Sequence, residues 1–200
     1  MEDKIGLGGY VLEHIKESIS VKQKILEDPR LVKQIHEVAS LCVEAYSAGN
    51  KVILAGNGGS AADAQHIAAE FVSRFRFDRP GLPSISLSTD TSMLTAIGND
   101  YGYDKIFSRQ LQANGKAGDI FIGITTSGNS DNILRAAEEC ASQGITSIGF
   151  LGATGGRVKD KMDISLCVPS HETALIQESH IMLGHIICGY VEDTIFGKQA

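Results

Sequence analysis

The sequence contains no run of about 18 apolar residues free of charge, so a membrane-spanning helix is not expected. It also lacks a basic block, and its net charge is -6. The densest basic run, Arg74-Phe75-Arg76-Phe77-Asp78-Arg79, is short and interleaved with phenylalanines. Nonspecific nucleic-acid binding needs many phosphate contacts, so neither a nucleic acid nor a membrane is expected as partner. The run reads instead as the end of a helix whose arginines pair with nearby acids. The opening stretch, MEDKIGLGGYVLEHIKE, lacks the charged-then-apolar layout of a signal peptide, and a cytoplasmic protein is expected. The cysteines Cys42, Cys140, Cys167 and Cys188 form no CxxC and fall within apolar patterns. Buried, reduced thiols are the expectation.

What is present fits one globular domain. A chain of 200 residues, 42% of them apolar and 21% charged, can bury a core of its own. No repeat, low-complexity tract or linker divides it. Residues 1–48 read as N-terminal helices and 51–200 as an α/β core closed by a C-terminal helix. Apolar residues recur at helical spacing over Val11–Leu26 and Leu31–Ser47, with Asp28-Pro29 between them and Gly49 as a C-cap. Alternation then begins. KVILAG, SISLS (84–88), DIFIGIT (119–125), TSIGFLG (146–152) and DISLCVP (163–169) read as strands. The segments between them read mostly as helices, including SAADAQHIAAEFVSRF with Ser60 as N-cap and Asp63 in its first turn. TALIQESHIMLGHIICGYVEDTIF closes the chain. The order predicts a doubly wound, five-stranded parallel sheet flanked by helices, flavodoxin-like, preceded by two helices. Ligands of such sheets bind beyond the carboxyl ends of the strands, near the switch in strand order.

Two loops fall there. GNGGS follows the first strand and opens a helix, where backbone N–H groups favour anions. The G-x-G-x-x-G fingerprint is absent, because position 61 is Ala, and there is no P-loop, so a dinucleotide is disfavoured. Alone, this loop reads equally well as a tight β–α turn. TTSGNS, at 125–130, places Thr125, Thr126, Ser127 and Ser130 around Gly128. Four hydroxyls and free N–H groups can satisfy a phosphate without a fixed positive charge. A serine-rich helix cap is the bland alternative. The two loops together point to a compact phosphorylated ligand.

At these residues the chain resembles the sugar isomerase (SIS) family and, within it, the sedoheptulose 7-phosphate (phosphoheptose) isomerases. The resemblance rests on GNGGSAADAQHIAAEF, RP, TDTSMLTAIGNDYGYDKIFSRQ, GDIFIGITTSGNS and IQESHIMLGHI. It spans the chain from about Lys51 to the C-terminal helix. The tail GHIICGYVEDTIFGKQ looks like the branch tied to capsule heptose rather than core lipopolysaccharide. The resemblance implies interconversion of sedoheptulose 7-phosphate and D-glycero-D-manno-heptose 7-phosphate, the start of nucleotide-activated heptose synthesis. It also implies a homotetramer with sites between subunits, and bound zinc.

Moving a proton between C1 and C2 needs a base beside a carbonyl and something to stabilise an enediolate. His66 and Glu70, at i and i+4, share a helix face, and their N and O donors suit zinc. Alone the pair would read as a surface contact; with the resemblance it becomes a site. The resemblance implies His66, Glu70, Gln177 and His185 as metal ligands, Glu70 as the base and His185 as a second acid/base. It implies Asn57, Gly58, Gly59, Ser60, Asn99, Asp100 and Gln177 as substrate contacts, with Thr125, Thr126, Ser127 and Ser130 cradling the phosphate. Arg74 is expected one turn beyond Glu70, holding its carboxylate or a sugar hydroxyl. Gln177 and His185 pose a difficulty: eight helical residues rise roughly 12 Å and rotate about 80°. A bend near Gly184, or sites shared between subunits, would resolve it. His180 is a competing position, while His14, His36 and His171 look structural or solvated.

Departures from the family pattern are Thr125 in place of Ser, Leu175 where an Arg is common, and Glu172 where a small acidic residue is common. The alternatives are a non-catalytic SIS protein that binds a phosphosugar or a replication initiator, an isomerase of another phosphosugar, and a nicotinamide oxidoreductase. The apolar residues of the last helix, Ile176 to Ile195, cover too wide an arc for one narrow stripe, consistent with association through a helix bundle, with burial within a monomer as the alternative.

Overall fold

The computed structural model describes residues 7–197. The expected domain ends at 1 and 200, and the Lys198 and Gln199 of the tail, lie outside the described residues. The chain runs α1 (Leu7–Leu26), α2 (Pro29–Ser47), β1 (Val52–Gly56), α3 (Gly59–Val72), β2 (Ser84–Ser86) and α4 (Thr91–Tyr101). It continues with α5 (Ser108–Asn114), β3 (Ile120–Thr125), α6 (Asp131–Gln143), β4 (Thr146–Leu151), β5 (Ile164–Cys167) and α7 (Thr173–Phe196). Short 3₁₀ turns cover Tyr103–Lys105 and Lys159–Lys161.

All five strands are parallel, in the order β2-β1-β3-β4-β5, which is the doubly wound arrangement the sequence predicts. The chain winds outward from β1 to β2 and then crosses back to β3, so the switch point lies between β1 and β3. Period-two alternation serves both faces. Val52 and Leu54 of β1, with Ile120 and Ile122 of β3, enter one apolar cluster together with α2, α3 and α7. Ile53 and Phe121 enter the other, with Ile106 and Leu111 on one side and Ile133 and Ala137 of α6 on the other. Residues of α1 and α2 join the first cluster through Val21, Ile25, Leu31 and Ile35.

Local chemistry sets the boundaries. Asp28 has extended backbone, its carboxylate accepts from the amides of Arg30 and Leu31, and Pro29 begins α2. Gly49 follows that helix at φ +74 and donates to Tyr46 O. The second strand is shorter than SISLS because the Ser88 hydroxyl replaces the ladder. It accepts from Gly56 N at 3.1 Å and donates to Gly56 O at 2.9 Å. The third strand starts after Asp119, whose buried carboxylate accepts instead from Lys51 N, Lys116 N and Lys51 Nζ. The capping expected for α3 needs correction. Gly58, at φ +56, is its N-cap, Ser60 makes no cap bond and is buried, and Asp63 lies past the first turn. Only a glycine adopts that backbone cheaply, so the helix starts earlier than a serine cap would allow.

The basic run follows the end of α3 rather than forming it, and two of its arginines, Arg76 and Arg79, meet acids as expected. Arg79 donates to the carbonyls of Glu70, Phe71 and Ser73 at the end of α3, and its Nε donates to Glu192 Oε1 at 3.0 Å. Arg76 pairs with Asp193 at 3.1 Å. Three cysteines are buried and free, and burial pushes the Cys42 thiol up to about 12. Cys167 is only half-buried.

His180 is fully buried, and its Nε2–H donates to Leu151 O at 3.1 Å. Desolvation by burial lowers its pKa to about 4, only partly offset by that bond, so the imidazole is neutral. The unfolded chain, with a histidine near 6.5, then binds more protons than the native one between about pH 6.5 and 4. Stability against urea is expected to fall as pH drops through that window, and this part of the fall is expected to vanish in His180→Gln.

Candidate active site

The carboxyl ends of β1 and β3 carry the two loops, side by side at the switch point. In the first, the amides of Asn57 and Asn132 form a reciprocal pair, each Nδ2 donating to the other's Oδ1 at 2.9 Å. The Tyr103 hydroxyl donates to the same Asn57 oxygen at 3.0 Å. In the second, Thr125 Oγ1 lies 2.9 Å from Ser130 Oγ and 3.5 Å from Ser127 Oγ. Thr125 is buried, whereas Ser127 is exposed and Thr126 and Ser130 are half-buried. Gly128, at φ +65, lets this loop pack against the turn that follows β4. A Cβ there would stand 2.0 Å from Gly155 O.

The helix after the first loop carries two of three side chains that cluster with metal-type donors. His66 Nε2 lies 3.2 Å from Glu70 Oε1 on α3 and 3.0 Å from His185 Nε2 on α7. The three donor atoms all lie within 4.8 Å of one another. Tetrahedral zinc with ligands about 2.0–2.1 Å away places neighbouring ligand atoms roughly 3.3 Å apart. The spacing and the N, O, N donor set therefore fit one small divalent ion. His185 stacks obliquely on Phe75, ring centroids 5.5 Å apart.

Helix α7 is continuous, and Gly184 acts otherwise than the expected bend. A Cβ at Gly184 would stand 2.4 Å from Ile67 Cδ1 and 2.6 Å from its Cγ1, so the missing side chain lets α7 close on α3. The neighbours of that contact are His66 and His185. Gly184→Ala is expected to push the helices apart, costing about 1–3 kcal/mol of stability by overpacking. It should also loosen the His66–Glu70–His185 cluster and weaken any divalent ion held there. Urea unfolding and a divalent-metal titration would check the pair of effects.

Gln177, on α7, lies elsewhere along the contact between these two helices. Its amide packs on Gly59, where a Cβ would stand 2.6 Å from Nε2. Gly59 and His66 are seven residues apart, or about 10 Å along α3. Within one chain, Gln177 thus faces the mouth of the first loop while His185 faces His66. Arg74 is not on the helix with Glu70. It follows the Ser73 cap, is exposed, and makes no ion pair or side-chain hydrogen bond among the described residues. The helix stops first because Arg79 takes the terminal carbonyls. Asn99 and Asp100 form no Asn-Asp turn. They are exposed in the last turn of α4, with Asn99 Nδ2 donating to Asp100 Oδ1 at 2.8 Å. Gly58 is exposed and Ser60 buried beneath the loop. Asn132 and Tyr103 were not foreseen. Asn132 stands two residues after Ser130, and that proximity to the loop is the one signal the chain offers for it.

A family profile described as SIS domain matches residues 13–152. A phosphoheptose isomerase from Aneurinibacillus thermoaerophilus is 62% identical over 193 residues, covering 96% of this chain and 98% of its own. The chain belongs to the phosphoheptose isomerase family of SIS domain proteins. Phosphoheptose isomerase 2 of Campylobacter jejuni is 58% identical, with 96% of each chain covered. Among solved structures, the phosphoheptose isomerase from Neisseria gonorrhoeae superposes with a TM-score of 0.88 at 41% identity, covering 94% of this chain and 99% of that one.

Proposed function

We propose that this SIS protein interconverts sedoheptulose 7-phosphate and D-glycero-D-manno-heptose 7-phosphate, the first step of nucleotide-activated heptose synthesis for capsule or lipopolysaccharide. The reading rests on family membership and on one observation, the convergence of His185 of α7 with His66 and Glu70 on the helix that opens from the first switch-point loop. Thr125, Thr126, Ser127 and Ser130 hold the phosphate through hydroxyls and amides at the start of α6. Asn57, Gly58, Gly59, Ser60, Asn99, Asp100, Arg74 and Gln177 contact the sugar. Glu70 faces His66 with Oε1, which leaves Oε2 to take the C1 proton of the ketose. The electron pair closes an enediolate, and the proton returns at C2 to give the aldose. His185 moves a proton between the two oxygens.

His66, Glu70 and His185 of one chain would hold zinc, with Gln177 completing the set only from a neighbouring subunit, since within the chain it lies at Gly59; the ion would supply Lewis-acid stabilisation to the enediolate oxygens. We read residues 1–200 as one cytoplasmic SIS domain that associates as a homotetramer with sites between subunits. The support is physical. Tyr10, Val11, Leu12, Ile15 and Ile19 leave an exposed apolar stripe along α1, which Lys22 ties to α7 through Glu178. His66 itself is half exposed, at 50%, so the site is open within one chain. No helix among the described residues is long and apolar enough to cross a membrane.

The test is direct. Zinc-loaded protein and sedoheptulose 7-phosphate, followed by NMR in deuterated water, are expected to yield the aldose with solvent deuterium at C2. No turnover under metal-replete conditions would overturn the assigned reaction.

A further inference from the structure

We propose that Asn132 and Tyr103 are positioning residues that set the hydrogen-bond polarity of Asn57, making it a donor-only contact for a ligand oxygen. The inference rests on the reading of this cleft as a phosphosugar site and goes beyond it in assigning work to two residues outside the loops. An asparagine amide offers two donors and one oxygen with two lone pairs. Here both lone pairs of Asn57 Oδ1 are taken, one by Asn132 Nδ2 at 2.9 Å and one by Tyr103 Oη at 3.0 Å. One of its N–H groups is taken as well, by Asn132 Oδ1 at 2.9 Å. The second N–H has no hydrogen-bond partner among the described residues. What Asn57 can still offer is therefore a single N–H donor.

That polarity suits the chemistry. A free amide can rotate to present either end and would read a hydroxyl and a carbonyl alike. A pinned donor discriminates in favour of an oxygen that carries lone pairs and gains charge, as a carbonyl oxygen does on becoming an enediolate. The fold provides the pin. Asn57 leaves the end of β1, Asn132 starts α6 after β3, and Tyr103 comes from the turn after α4, so three separate crossovers meet on one amide. Asn132 is only 3% exposed, and in this setting a reciprocal amide pair fixes both rotamers.

Asn132→Asp tests this, because aspartate keeps the shape and still accepts from Asn57 Nδ2 but cannot donate to Asn57 Oδ1. The expected result is a loss of about 10- to 100-fold in kcat/KM, concentrated in kcat, as when a transition-state contact is impaired. Tyr103→Phe, at an exposed position, removes one donor without a cavity and is expected to lose about 3- to 10-fold. The decisive readout is a cycle in Asn57→Ala protein. If Asn132 acts through Asn57, Asn132→Asp has no further effect there. If turnover of Asn57→Ala is too slow to follow, the same cycle is read in the Kd of a stable hydroxamate mimic of the enediolate, which reports a transition-state contact. Wild-type kinetics in both Asn132→Asp and Tyr103→Phe would overturn the proposal, and so would a loss that persists undiminished in the Asn57→Ala background. Absence of wild-type turnover would count instead against the assigned reaction.

Discussion

Replacing Glu70 with glutamine is expected to lower kcat by about 10²–10⁴-fold, the range for loss of a positioned general base. The amide keeps the size of the carboxyl and can still approach His66, but it cannot take a proton from carbon. Glu70 is placed by α3, whose apolar face, Ile67 and Phe71 among others, is buried in the sheet-side core, so the substitution leaves packing untouched. Its side chain is 23% exposed, and among the described residues no other carboxylate joins the cluster to substitute for it. The comparison must be made at equal zinc content, since Glu70 is also a proposed ligand. A variant with its fold and metal intact and turnover lost would support the base. Full activity in a metal-replete Glu70→Gln protein would assign proton abstraction to another group, with His185 the nearest candidate.

Replacing Glu192 with alanine is expected to cost about 3–5 kcal/mol of folding stability, the price of breaking a buried ion pair by removing one partner. The side chains of Arg79 and Glu192 are 2% and 1% exposed. Glu192 accepts from Phe75 N at 2.9 Å, Arg76 N at 2.7 Å and Arg79 Nε at 3.0 Å. Without the carboxylate these donors and the guanidinium charge stay buried and unpaired. Burial by itself pushes the Glu192 carboxyl up, but the amides of Phe75 and Arg76 and the Arg79 guanidinium outweigh it and hold the group below the usual glutamate range. A depressed carboxylate stabilises the fold above its unfolded pKa, and that contribution fades as pH falls through the lowered folded value. Urea unfolding of Glu192→Ala is therefore expected to show its deficit at neutral pH and to converge on wild type in acid. A deficit that stays constant down to acid pH would place the cost in packing instead. Because Arg79 also caps the carbonyls of Glu70 and Phe71, the variant is expected to fray the end of α3 next to the base.

The two helices that meet at the metal-type cluster differ in how much their sequences reveal. The i, i+4 spacing of His66 and Glu70 is a property of any α-helix and could be read from the order of residues. His185 could be grouped with them only through resemblance, because nothing local relates residues 119 positions apart. The contact that joins them depends on a hydrogen at Gly184 where any other residue carries carbon, and its partner, Ile67, is not predictable from either segment. Arg74 was misplaced for a similar reason. Its distance from Glu70 is that of one helical turn, but a side chain five residues further on, Arg79, folds back and closes the helix first. Asn132 and Tyr103 carried no signal in the chain beyond their proximity to the loops.

The sequence by itself determined the local layer of this protein. Hydrophobic period and turn chemistry set five strands and the helices between them, the parallel doubly wound sheet follows from their alternation, and the glycine- and hydroxyl-rich loops fall at the strand ends. Those features arise from interactions among neighbours a few residues apart. The tertiary structure alone decided which of the candidate residues meet. It brought His185 to His66, sent Gln177 to Gly59, left Arg74 in solvent and locked Asn57 between Asn132 and Tyr103. Such meetings depend on helix crossing distance, on where a long-range ion pair ends a helix, and on amide partners from separate crossovers, and each of these is set by packing between segments distant in the chain.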